Sequence, residues 1–164
     1  MIDLLRLDER LIHGQVATSW VKTLKPDTLL VIDDASATDA FLTKTLYMAA
    51  PAGIKTFVMT IEQALGVLND PRCKTRHIFV VVKSIETLNE IASKAADVKE
   101  ICVANYGRMQ AANIERVRYT GNLFLSDEER AKLKEVLSTG IPCNIQMIPE
   151  NPKTPLESIL KDVG

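Results

Sequence analysis

A short run near the N-terminus, "DERLIHGQ" (residues 8–15), combines residue types that can carry out phosphoryl chemistry. The neutral imidazole of His13 has a lone pair near neutral pH and can attack phosphorus as a nucleophile. The guanidinium of Arg10 can present a planar pair of donors to the phosphoryl oxygens. Asp8 can orient the ring by accepting its other N–H, as the carboxylate of a serine-protease triad does. The run therefore predicts a histidine nucleophile with a phosphate clamp and an orienting group.

The residues after the histidine add a backbone contribution. Gly14 and Gln15 open a predicted helix, so their amide groups and the positive end of the helix dipole can hold a phosphate. A histidine beside the apolar pair Leu11 and Ile12 is more often a hydrogen-bonded structural residue than a catalyst. The polar loop around His13 favours chemistry, and the residues alone leave these two interpretations evenly balanced.

These residues lie at the first junction of an alternating pattern of strands and helices. A strand is predicted over Ile2–Leu7 and a helix over Gln15–Leu24, which Pro26 ends. The apolar run Thr28–Asp33 is typical of a parallel strand covered on both faces. Further strands are predicted at 54–60, 77–82, 100–104 and 143–148, short strands around 115–120 and 122–125, and helices at 39–50, 61–69, 85–96 and 127–137, with Ser84 and Ser126 as N-caps.

This order predicts an α/β fold: an open, doubly wound, mostly parallel sheet flanked by helices on both faces. Residues 1–164 are predicted to form a single domain, with 149–164 as a proline-stiffened C-terminal tail that contains one helical turn. Ligands of such sheets bind outside the C-terminal ends of the strands. The loop of His13 falls at that rim.

Other polar residues end neighbouring strands at the same rim. Asp33 and Asp34 follow the second predicted strand, Ser84 the fourth and Asn105 the fifth, so each is a candidate rim contact. Each is also explained as a helix cap or an ordinary loop residue. His77 begins its strand and should face the opposite edge, which disfavours a mechanism with two histidines.

Composition narrows the classes of function. A net charge of −1 and 5% aromatic residues disfavour nucleic-acid binding. The three cysteines and two histidines show no metal-ligand spacing, and neither a dinucleotide fingerprint nor a P-loop occurs, so we expect no metal and no cofactor. Charges inside "IDLLRLDER" disfavour a signal peptide, and no apolar run reaches the roughly 20 residues that span a bilayer. We expect a cytoplasmic protein with reduced thiols.

With these motifs, the chain resembles the IIB component of the mannose/fructose/sorbose family of the bacterial phosphoenolpyruvate-dependent sugar phosphotransferase system (PTS). The segment "RLDERLIHGQVATSW" is close to a pattern highly specific for that family. The resemblance continues in family order to Pro149 through "LLVIDD", "MAAPAGIKTFVMTIEQA", "FVVVKSIE" and "LSDEERAKLKEVLSTGIPCNIQMIP".

The resemblance implies a phosphotransferase that relays a phosphoryl group without cofactor or metal. His13 would take the group through Nδ1 from the phosphohistidine of a IIA component and pass it to a sugar translocated by the membrane components IIC and IID. The protein would then act in the cytoplasm, held at the inner face of the membrane through IIC and IID. A homodimer stays open, with the Trp20 helix or the C-terminal tail as interface.

One segment departs from the family pattern, and two other functions stay in view. After the fifth strand the chain has "VANYGRM" instead of a "VGNM"-like turn, so segment 104–125 is where sugar preference or partner fit would differ. A histidine phosphatase or mutase would need a second histidine and another arginine at the site. A non-catalytic binding or regulatory module of the same fold would not be phosphorylated at His13.

Overall fold

The computed structural model describes residues 1–110 and 113–161, which form nine β-strands and seven α-helices. The strands are β1 (Ile2–Asp8), β2 (Thr28–Ile32), β3 (Lys55–Met59), β4 (Ile78–Val82), β5 (Ile101–Asn105), β6 (Val117–Thr120), β7 (Leu123–Leu125), β8 (Cys143–Ile145) and β9 (Thr154–Pro155). The helices are α1 (Gly14–Leu24), α2 (Asp34–Ala37), α3 (Ala40–Ala49), α4 (Ile61–Leu68), α5 (Ile85–Lys94), α6 (Asp127–Glu135) and α7 (Leu156–Ile159).

Seven strands form one sheet in the order β3-β2-β4-β1-β5-β8-β9. All neighbouring pairs run parallel except β8 and β9, so the predicted, mostly parallel sheet is confirmed. β1 lies in the centre between β4 and β5, and its C-terminal end opens directly into the loop of His13. The predicted short strands β6 and β7 pair with each other as a separate antiparallel hairpin.

Helices cover both faces of the sheet, as predicted. Along β4, Val80 and Val82 point into a core cluster that includes buried residues of α4, α5, α6 and α7, while Phe79 and Val81 point into a second cluster with α1 and α3. All five residues of β4 are buried, which explains why the strand reads as a continuous apolar run. Asp8 ends a strand whose alternate residues face α1.

The predicted C-terminal tail packs against the rest of the described chain. β9 pairs with β8 at the sheet edge, and Leu156 and Leu160 are buried in the larger cluster. The predicted helical turn is α7, while residues 162–164 lie outside the described residues. Trp20, on the helix named as a possible homodimer interface, is also buried. None of the helices in the described ranges combines the length and apolar character needed to cross a membrane.

Candidate active site

Asp8 is the centre of a hydrogen-bond network at the C-terminal end of β1. Its carboxylate is fully buried. Oδ2 accepts hydrogen bonds from Nε2 of His13 at 3.0 Å and from Nη2 of Arg6 at 3.3 Å. Oδ1 accepts the backbone N–H of Arg10 at 3.0 Å, and the side-chain Nε of Arg10 lies 3.6 Å away. The structure therefore brings together three predicted site residues, Asp8, Arg10 and His13, around one carboxylate.

The apolar residues beside the histidine anchor its loop. The backbone N–H of Leu11 bonds to the carbonyl oxygen of Asp8 at 2.9 Å, and Leu11 adopts a left-handed φ of 58°. The side chains of Leu11 and Ile12 are buried in the cluster beneath α1, whereas the His13 side chain remains 24% exposed. The two hydrophobic neighbours thus fix the turn and leave the ring accessible from solvent.

The helix that follows begins immediately after the histidine. His13 is the N-cap residue of α1, and its side chain makes no capping hydrogen bond. Gly14 has a φ of +46°, which L side chains rarely adopt, so glycine suits the first helical position. Gly14 and Gln15 are exposed, and the first turn contains no acidic residue. The predicted phosphate-binding backbone is therefore accessible and carries the positive end of the helix dipole.

The ionisation of Asp8 selects the tautomer of the histidine ring. Burial by itself raises the pKa of Asp8, but the hydrogen bond from His13, the charge of Arg6 and the amide of Arg10 outweigh it and lower the pKa below its ordinary value. An ionised carboxylate can only accept hydrogen bonds, so in the neutral ring Nε2 carries the hydrogen and Nδ1 carries the lone pair. In the neutral ring Nδ1 is therefore the nitrogen whose lone pair is free of this hydrogen bond.

Arg6 is a part of the site that the sequence interpretation left out. Its guanidinium is buried, with Nη1 donating to the carbonyl of Gln146 at 3.0 Å and Nη2 to that of Met147 at 2.8 Å. It also lies 5.2 Å from the centroid of the Trp20 ring, a cation–π distance. Residues two apart in a strand lie on the same face of the sheet, so Arg6 shares a face with Asp8. This spacing, in an otherwise apolar strand, was the sequence signal that could have predicted their contact.

Glu9 is the second residue that the sequence interpretation did not select. Its carboxylate is buried and accepts backbone N–H groups from Gly107, Arg108 and Met109 at 3.0–3.3 Å. The side-chain amide of Gln110 donates to the same group at 3.3 Å. Glu9 therefore ties the loop after β5 to the turn that holds His13, and this loop belongs to the segment that departs from the family pattern.

The predicted rim contacts separate into two kinds. Asp33 and Ser84 accept backbone N–H groups as the N-caps of α2 and α5, and Asp34 accepts a backbone N–H at the start of α4. These three side chains therefore hold helix ends. Asn105 is buried at the end of β5, and its carbonyl accepts the N–H of Glu9 at 2.8 Å. Among these four residues, Asn105 is therefore bonded to the turn of His13, through its backbone.

His77 lies at the other end of the sheet, as predicted. It immediately precedes β4, and its Nδ1 is 3.1 Å from a carboxylate oxygen of Asp3 near the start of β1. Because β1 and β4 are parallel, His77 lies at the N-terminal ends of the strands and His13 at their C-terminal ends. This geometry counts against the phosphatase or mutase interpretation, which needs a second histidine at the site.

The site thus combines an accessible histidine, a buried carboxylate bonded to its ring and the N-terminus of a helix, at the C-terminal end of a central strand. The family model described as "PTS system sorbose subfamily IIB component" matches residues 2–164. The chain belongs to this family. It is a IIB phosphotransferase component and a phosphoryl carrier in PTS sugar transport.

Individual relatives agree with the family model. The chain is 36% identical to a "Probable phosphotransferase enzyme IIB component" of Streptococcus pyogenes serotype M6, covering 98% of this chain and 99% of the relative. It is 21% identical to the "PTS system mannose-specific EIIAB component" of Escherichia coli strain K12, covering 99% of this chain and 49% of that protein. The crystal structure of the IIBSor domain of the sorbose permease from Klebsiella pneumoniae superposes with a TM-score of 0.89 over 100% of this chain and 98% of the domain at 21% identity, which confirms the fold.

Proposed function

We propose that His13 is the residue that carries the phosphoryl group. The observation that supports this is the 3.0 Å hydrogen bond between Nε2 of His13 and Oδ2 of Asp8, which leaves the Nδ1 lone pair free. Nδ1 forms a bond to phosphorus as the phosphorus–nitrogen bond to a donor phosphohistidine breaks. In the second step the bond from Nδ1 to phosphorus breaks, a sugar hydroxyl oxygen bonds to phosphorus, and the hydroxyl proton is released.

The surrounding groups stabilise the phosphoryl charge. Phosphoryl transfer depends mainly on positioning and charge stabilisation. The backbone N–H groups of Gly14 and Gln15 supply donors at the start of α1. The guanidinium of Arg10 is 40% exposed and has its Nε 3.6 Å from Oδ1 of Asp8. We assign it the role of binding the phosphoryl oxygens on His13.

The partners follow from the two transfer steps. We assign the donor role to a IIA protein or domain and the acceptor side to a sugar arriving through IIC and IID. The name EIIAB of the mannose-specific relative supports a IIA donor. Binding to IIC and IID would hold residues 1–164, as one IIB domain, at the cytoplasmic face of the membrane. The loop anchored by Glu9 is the part of the rim where partner fit would be set.

The direct test is phosphorylation with a defined donor chain. The purified protein is mixed with phosphoenolpyruvate and the general PTS proteins, with and without a mannose-family IIA component, and the acid-labile phosphate is mapped by mass spectrometry. We expect label on His13 only when IIA is present. Absence of label with an active IIA would favour the non-catalytic binding module instead.

Replacement of Arg10 by lysine tests the clamp. Lysine keeps the positive charge but loses the planar pair of donors that matches two phosphoryl oxygens. We expect the rate of IIA-dependent phosphorylation to fall by about tenfold, equivalent to ~1.4 kcal/mol in the barrier. Rapid-quench measurement of the phosphorylated fraction gives the rate, and Arg72→Lys, at an exposed site far along the chain, is the matched control. An unchanged rate would remove Arg10 from the site.

Replacement of Glu9 by glutamine tests the anchored loop. Glutamine offers one acceptor oxygen, and its NH₂ group faces amides that also donate, so several of the loop N–H groups lose their acceptor. We expect the free energy of unfolding to fall by about 1–3 kcal/mol and phosphoryl transfer to slow. Chemical denaturation and the transfer assay measure both effects. Glu128→Gln, at an exposed position on α6, should change neither, and equal behaviour of the two variants would contradict the anchor.

A further inference from the structure

Helix α3 is apolar but almost unburied. Of its ten residues only Leu46 is buried, in the cluster shared with α1. Phe41 and Met48 are 75% and 78% exposed, and Leu42 and Tyr47 also expose large fractions of their surface. Soluble monomers seldom expose contiguous apolar patches of this kind, and such patches commonly mark interfaces.

The edge strand next to α3 carries one more exposed aromatic side chain, on the other face of the sheet. β3 is the last strand on this side, and β2 is its only strand partner in the described chain. Phe57 pairs in register with Leu30, which points into the cluster opposite α3, so Phe57 lies on that opposite face and is 42% exposed. The α3–β3 surface consists of Phe41, Leu42, Tyr47, Met48 and Phe57.

The α3–β3 surface is separate from the phosphoryl-transfer site. β4 and β2 lie between β1 and β3, which places β3 about 14 Å from β1 at roughly 4.8 Å per strand. A partner seated on this surface leaves His13 open to a donor and an acceptor in turn. The surface therefore suits a partner that stays bound throughout phosphoryl transfer, rather than one that must bind and leave in each cycle.

We propose that the α3–β3 surface binds a second copy of this chain and forms a twofold dimer, independently of the function assigned to His13. The exposed fractions of the three aromatic side chains, each of about 150–250 Å² when fully buried, correspond to roughly 300 Å² of area per copy. Leu42 and Met48 add to this area. A standard interface buries about 800 Å² per partner, of which about 56–65% is apolar. The α3–β3 surface thus supplies the larger part of the apolar area that a stable dimer needs.

The edge strand fits the same symmetry. A twofold axis beside Phe57 would pair β3 antiparallel with its counterpart, and two copies of one strand meet this way in isologous dimers. In that register Lys55 faces Met59 of the second copy, so the two lysines do not oppose each other. Pairing would also cover an edge that otherwise invites uncontrolled association.

The test is the molar mass in solution. We expect sedimentation equilibrium of the full chain to show a monomer–dimer equilibrium. The double variant Phe41→Glu/Met48→Glu should be monomeric, because it places four carboxylates in the interface of the dimer. Val117→Glu, at a 58% exposed position on the hairpin, should dimerise like the wild type. Circular dichroism melting confirms that each variant is folded.

Three outcomes would overturn the proposal. The wild type could be monomeric throughout the measured concentration range. The double variant could dimerise as well as the wild type, which would place the interface elsewhere. Membrane vesicles that contain IIC and IID could bind a monomeric wild type but not the double variant, which would assign the surface to those components. None of these results would affect phosphorylation of His13, so the two proposals fail separately.

Discussion

Replacement of His13 by alanine should abolish phosphorylation and leave the fold intact. Alanine removes the only group proposed to bond to phosphorus, and loss of a covalent nucleophile typically costs at least about 10⁴-fold in rate. The ring makes one side-chain hydrogen bond, to Asp8, and is 24% exposed, so we expect a change in the free energy of unfolding of about 1 kcal/mol. Phosphorylation by IIA and a denaturant titration on the same preparation measure both quantities.

His77→Ala is the matched control for this experiment. His77 is exposed and pairs with Asp3 at the N-terminal ends of the central strands, away from His13. Its removal should therefore leave the acid-labile label unchanged. Label that persists in His13→Ala would place the phosphoryl group on another residue. Loss of cooperative unfolding in His13→Ala would show that the histidine has a structural role.

The fold was largely predictable because its central strands are buried on both faces. Such strands appear as uninterrupted apolar runs, and β2, β4 and β5 were predicted to within one or two residues. The elements that were missed are short: α2 has four residues and β9 two, too few for a period to be visible. The final predicted strand was wrong in length, since β8 ends at Ile145 rather than at residue 148.

The site was predictable where its contacts are local in sequence. Asp8 orients His13 across five residues, so the motif itself brings them together. The support of the site comes from far along the chain: Arg6 bonds to carbonyls at 146 and 147, and Glu9 to amides at 107–109. The sequence alone does not show which distant loop lies close enough to bond to a buried charged side chain. Asp33 and Ser84 make local capping bonds, each to a residue three positions further on, which is the alternative that the sequence also offered for them.

Replacement of Asp8 by asparagine should damage both transfer and stability. The amide can donate to Nε2 through its NH₂ group, which favours the tautomer with hydrogen on Nδ1 and removes the nucleophilic lone pair. A comparable change in a serine-protease triad costs about 10⁴-fold, and we expect a loss of about 10²–10⁴-fold here. The guanidinium of Arg6 is buried and would lose its ionised partner, so the free energy of unfolding should fall by about 3–5 kcal/mol.

The effect of Asp8→Asn should depend on pH in one direction. Asp8 has a lowered pKa in the folded protein, so its stabilising contribution is fully present above its unfolded pKa, near 3.8, and is lost as the pH falls through the folded value. The stability difference between the wild type and Asp8→Asn should therefore be constant near neutral pH and shrink below about pH 4. Denaturant titrations across this range measure it, and ¹⁵N chemical shifts of the His13 ring report the tautomer. Asp3→Asn, which alters the carboxylate beside His77, is the control for transfer. An unchanged tautomer with normal transfer in Asp8→Asn would show that Asp8 supports only the fold.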